Sequence, residues 1–160
     1  MKKRFRLKVL IISFLVVYLT AFLGSLFTSS AVKSDWYASI KPTLAPPDYV
    51  FGIVWNILFF LIALSLFLAW TNAKRKDKTQ IAWVFGVNLG LNLLWSALYF
   101  GIRSPLFSFI EIFFLGASII WMMCVSYKVN KVSGYLLIPY FLWVCFASVL
   151  NWLSVMKLWV

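Results

Sequence analysis

Within stretches that are otherwise apolar, the chain carries a few residues able to recognise or act on a ligand. They are Trp55, the series Asn88, Asn92 and Trp95, the carboxylate Glu111, and the series Trp143, Ala147 and Asn151. Hydrocarbon offers a polar side chain no partner, so each must find one in the protein or in a bound molecule. Asn88, Asn92 and Trp95 stand at i, i+4 and i+7 and share a helix face; Trp143, Ala147 and Asn151 form a second stripe. Asparagines in spans commonly bond a neighbouring helix at about 0.6–2 kcal/mol each, and small residues such as Ala147 and Ser148 permit close helix approach. Glu111 differs, because an intramembrane carboxylate is costly and marks a functional site by default. Its structural alternative is pairing with Arg103. Apolar walls, several indoles and a few converging polar groups together describe a pocket for a flat, hydrophobic ligand.

The same residues argue against the common catalytic routes. Glu111 has no second carboxylate beside it, and no phosphate-binding glycine loop is present. The chain has no histidine, which removes the commonest general base, metal ligand and haem ligand together. No metal site and no cofactor are expected. Cys124 and Cys145 lie in apolar stretches, where a small soft side chain packs well, and nothing suggests a disulfide.

The elements that must position these residues are membrane helices. The 160-residue chain is 64% hydrophobic, with a mean hydropathy of +0.94, well above a soluble domain. Five apolar runs occur at about 9–28, 49–73, 79–102, 105–127 and 132–156. Each has about 20 residues or more, enough to cross a hydrocarbon core of about 30 Å. Period-two alternation is absent, so the fold class is an all-α membrane protein, a five-transmembrane-helix bundle in a single domain over 1–160. The first run follows Lys2, Lys3, Arg4 and Arg6 and imitates a signal peptide, but it exceeds the usual apolar core of one and reads as a retained helix.

The net charge of +11 is explained by topology. With five spans and the N-terminus inside, eleven Lys and Arg side chains are cytoplasmic, against Lys33, Lys41, Arg103 and Lys157 outside. The basic excess then faces anionic membrane lipid, and no nucleic-acid partner is implied. A bacterial cell membrane is the expected location, with the C-terminus and the long first loop, 29–48, extracytoplasmic. Pro105 suits the first turn of the fourth helix, and Trp70, Trp83 and Trp159 read as interfacial anchors. In this topology Trp55 sits about six residues below the outer end of its helix and Glu111 about seven, roughly 10 Å. The polar groups therefore converge in the outer half of the bundle, beneath the first loop.

That loop carries the most distinctive pattern: Trp36-Tyr37…Lys41-Pro42…Pro46-Pro47, running into Phe51-Gly52…Trp55. Together with Asn88…Asn92…Trp95-Ser96 and Leu136-Leu137-Ile138-Pro139-Tyr140…Trp143…Phe146-Ala147-Ser148…Leu150-Asn151, it resembles the TspO/MBR family of tryptophan-rich sensory proteins. The likeness covers essentially the whole chain. Leu44 departs from it, standing where many relatives carry tryptophan. The resemblance implies a compact five-helix bundle, commonly a homodimer, that binds porphyrins such as protoporphyrin IX and haem. By motif, Trp36, Tyr37 and Pro46 would form a lid, while Trp55, Asn88, Asn92, Trp95, Trp143 and Ala147 would line the cavity. Glu111 falls where some relatives carry an acid. Sterol recognition is not expected: Trp152…Lys157 lacks the tyrosine of the family's sterol motif, and the loose match at Val125–Lys131 is of a kind that arises by chance.

The leading expectation is therefore a receptor or sensor of tetrapyrroles and similar flat molecules. Its rivals are a light- and oxygen-dependent porphyrin-degrading enzyme, with Trp55 and Trp143 carrying radical chemistry, and a translocator of the same ligands.

Overall fold

The computed structural model describes residues 2–158, so Trp159 lies outside the described residues. Five helices are long and apolar enough to cross a membrane. They are α1 (Lys2–Ala31), α3 (Asp48–Asn72), α4 (Lys78–Ser96), α5 (Pro105–Val129) and α7 (Ile138–Lys157). Short helices α2 (Asp35–Ile40) and α6 (Lys131–Tyr135) join them, and no strand occurs among the described residues. The bundle is all-α, as the hydropathy predicts.

Each helix buries a stripe at helical spacing. On α3 it is Leu58, Ile62, Ser65 and Ala69, and on α4 Ile81, Phe85, Asn88 and Asn92. α5 contributes Ser108, Leu115, Ser118 and Met122, and α7 contributes Tyr140, Val144 and Asn151. α5 is the central element, packed on both α4 and α7, and it is the most buried of the five spans. α1 lies at the periphery and buries only Val9, Ser13 and Val17 before its last residue. Trp83 is exposed and Trp70 half-buried beneath Lys78, whose ammonium lies 5.4 Å from its ring centroid.

The structure revises the expected elements at four places. α1 starts at Lys2 and extends to Ala31, since its basic N-terminal residues are themselves helical. The loop 29–48 is not irregular throughout: the Ser34 hydroxyl accepts from the Tyr37 N–H and caps α2, which Asp35 in the first turn also favours. The fifth run is two helices, parted at Leu136-Leu137. Pro139 lacks the N–H that would have bonded back to Tyr135, so a continuous helix cannot cross this point. The third run ends in a π turn at Ala97–Gly101. Pro105 opens α5 as predicted, and both cysteines are free thiols.

Candidate functional site

At the loop end the helices part around a cavity of about 530 Å³, inside the range of small-molecule sites. α3 contributes Phe51, Gly52, Trp55 and Asn56, α4 contributes Asn92 and Trp95, and the π turn contributes Tyr99 and Phe100. Ala147, Asn151 and Ser154 of α7 close one side and Tyr18 to Thr28 of α1 the other, while Tyr37, Pro42 and Ala45 of the loop form the roof.

The floor and walls are held by hydrogen bonds between helices. Asn92 Nδ2 donates to the Tyr140 hydroxyl at 3.1 Å, beneath Trp55, whose ring meets that of Tyr140 at 6.1 Å. The Trp95 indole N–H donates to Asn151 Oδ1 at 3.1 Å, and Asn151 Nδ2 donates to the Pro105 carbonyl at 2.8 Å. One asparagine therefore ties α4, α5 and α7. The Tyr99 and Ser154 hydroxyls share a bond of 2.7 Å, with Tyr99 stacked on Trp95 at 5.1 Å. An i→i+5 turn changes the angular step along the helix, and π turns recur at functional sites. Here the turn brings Tyr99 and Phe100 to the cavity beside Trp95.

The roof is tied down by polar contacts. Lys41 Nζ meets Asp48 Oδ1 at 2.6 Å, and Lys157 Nζ donates to the Lys41 carbonyl at 2.7 Å. The Arg103 guanidinium lies 5.7 Å above the Trp36 ring, which packs edge-on against Tyr99. Arg103 itself holds φ 58°, the left-handed region, at the sharp turn into α5. Burial first, then the Asp48 charge, pushes the Tyr37 phenol well above its ordinary pKa.

Of the residues singled out from sequence, Tyr37, Trp55, Asn92, Trp95, Ala147 and Asn151 come together on the cavity. Trp36 and Pro46 belong to the roof but not to the cavity surface. Asn88 lies deeper, fully buried, donating to Ser118 Oγ at 2.8 Å. Trp143 stands behind Phe51, at 5.6 Å, because a stripe at i, i+4 and i+8 drifts round the helix and leaves its first member at the edge. Its indole nitrogen is buried without a partner among the described residues. Glu111 is buried beside the wall that Ile112 and Leu115 form, and the pairing with Arg103 is not made. Arg103 turns to Trp36 instead, and neither Glu111 oxygen has a partner among the described residues.

Sequence reasoning passed over Tyr18, Asn56 and Tyr99. Asn56 carried a signal, an amide in an apolar run next to Trp55. Tyr99 carried none, since its placement follows from the π turn.

Fold and site together define a five-span integral membrane protein with an aromatic, sparsely polar cavity at one end. The profile of the TspO/MBR family matches residues 12–156, and the chain belongs to that family. It is 41% identical over 143 residues to the tryptophan-rich protein TspO of Archaeoglobus fulgidus, covering 89% of this chain and 92% of that protein. To the protein of the same name from Chlorobaculum tepidum it is 38% identical over 133 residues, covering 81% and 83%. The human translocator protein is 26% identical over 137 residues, with 84% and 80% covered.

Proposed function

We propose that the protein is a membrane receptor or sensor that binds porphyrins, such as protoporphyrin IX or haem, and similar flat hydrophobic molecules in this cavity. The observation that carries the reading is the wall itself. Trp55, Trp95, Tyr99 and Phe51 present aromatic surface, while Asn56, Asn92 and Asn151 supply amides among a minority of polar groups. Stacking on the rings provides the affinity and the amides orient polar substituents, with the tied roof as the closing lid. By the family resemblance we further propose a homodimer in a bacterial cell membrane, with membrane lipid around it, which cross-linking in native membranes tests.

Titration with protoporphyrin IX in the dark, followed by tryptophan quenching, is the direct test. Saturable quenching is expected. Trp55→Ala should weaken it about tenfold, in line with the 1–3 kcal/mol that an aromatic–base stack contributes in nucleic-acid sites. Absence of saturable quenching would sink the porphyrin reading. A new absorbing product under illumination, lost in Trp143→Phe, would transfer the proposal to the degrading enzyme. Binding accompanied by ligand flux across vesicles would transfer it to the translocator.

A further inference from the structure

The cavity is closed very differently on its two open sides. On the loop side the roof is held by the Lys41–Asp48 ion pair, the Lys157 bond to the Lys41 carbonyl, the capped α2 and the Arg103–Trp36 contact. Tyr37 and Ile40 are buried beneath it. On the flank, between α1 and α3, the closure is much lighter.

The directional contacts from α1 to α3 climb the seam in three steps. Arg6 lies over Phe67 at 5.9 Å, Phe14 meets Phe60 at 5.4 Å, and the Tyr18 hydroxyl donates to Asn56 Oδ1 at 3.0 Å. Tyr18–Asn56 is the last of them towards the loop. Above it, α1 and α3 both line the cavity. From Tyr18 to Ser30, α1 has no buried side chain. The hydroxyls of Thr20, Ser25 and Thr28 bond back to carbonyls of their own helix, so they hold nothing across the gap.

The outer lips of the seam are apolar. Phe22 and Leu26 on α1, and Ile53 and Ile57 on α3, are all more than half exposed, as lipid-facing side chains are. Asn56 lies between them, exposed, eight residues past the start of α3 and thus about 12 Å along the helix. Its Oδ1 takes the Tyr18 hydroxyl, and hydrocarbon supplies the amide no further partner at that depth, so a polar group in the seam would be met by it.

We propose that ligands pass between the bilayer and the cavity sideways, through the α1–α3 seam, with the loop-end half of α1 as a movable wall that the Tyr18–Asn56 hydrogen bond keeps shut. The substrate of this portal is a flat, lipid-dissolved molecule, so the inference rests on the reading of the cavity given above. Asn56 has a second role here, since its amide meets polar substituents as they pass.

The experiment uses the full chain in proteoliposomes, with Cys124→Ser and Cys145→Ser removing the exposed native thiols. Tyr18→Cys and Asn56→Cys are joined by a short, reducible bis-methanethiosulfonate linker. A direct disulfide is unsuitable because the native bond spans a whole tyrosine side chain. Cross-linking should slow both association and release of protoporphyrin IX by about tenfold or more with little change in Kd, and reduction should restore the rates. Tyr18→Phe, without any linker, should speed both. Unchanged rates on cross-linking overturn the portal and leave the loop end as the route. If the parent protein, with Tyr18 and Asn56 intact and only the two native cysteines replaced, shows no saturable porphyrin quenching, it is the porphyrin reading that fails. The seam is then tested by labelling Ala147→Cys with a bilayer-dissolved pyrene maleimide. Faster labelling in the Tyr18→Phe background supports the portal, and equal rates in the two backgrounds overturn it.

Discussion

Asn151 joins more helices than any other side chain at the cavity, through Trp95 on α4 and the Pro105 carbonyl on α5. Truncation removes the acceptor of the half-buried Trp95 indole N–H and one of two side-chain donors to the Pro105 carbonyl, which keeps the Ser108 hydroxyl. Asn151→Ala should therefore lower stability by about 1–3 kcal/mol, read from unfolding in mixed detergent. Ser148→Ala, whose hydroxyl only bonds back to Cys145, should stay within about 0.5 kcal/mol. Glu111 makes the opposite case. With neither oxygen partnered among the described residues, its charge stabilises no visible contact. Glu111→Gln keeps the shape and removes the charge, and should leave stability unchanged or raised. A loss above about 1 kcal/mol would reveal a charge-dependent partner for the carboxylate.

Among the elements, the α5–α6 corner is the tightest. A Cβ on Gly134 would stand 2.7 Å from Tyr127 Cβ and 3.0 Å from its Cα, atoms that cannot swing aside. Gly134→Ala should accordingly destabilise by about 1–3 kcal/mol through overpacking. Gly86→Ala is the matched control, since nothing lies within 4 Å of its would-be Cβ and alanine favours the helix by up to about 1 kcal/mol. Opposite shifts in unfolding midpoint are expected. Helix breaks were only partly legible beforehand. Pro139 announces one in its residue type, whereas the π turn at Ala97–Gly101 has only its closing Gly101 as a sign, and a glycine at a helix end marks a stop without naming the turn that makes it.

At the scale of the molecule, charge and cavity lie at opposite ends. Eleven of the Lys and Arg residues cluster at the end away from the loop, against four at the loop end. That asymmetry predicts a cytoplasmic basic end. In a background lacking the two native cysteines, Ser39→Cys should react with an impermeant maleimide added to intact cells, and Lys76→Cys only after permeabilisation. The reverse pattern would invert the orientation and place the cavity roof in the cytoplasm.

Two properties are local and were therefore readable from the chain alone. Hydropathy over about 20 residues fixes a span, and the helical period fixes which residues share a face. Five spans, the Asn92–Trp95 face and the gathering of Trp55, Asn92, Trp95 and Ala147 beneath the first loop follow from those two facts. Which face meets which neighbour depends on helix rotation and crossing, set by side chains packing from both partners at once. Only the tertiary structure could turn Trp143 behind Phe51, leave Glu111 beside the cavity without Arg103, aim Tyr99 through a π turn, and set Tyr18 against Asn56 at the seam.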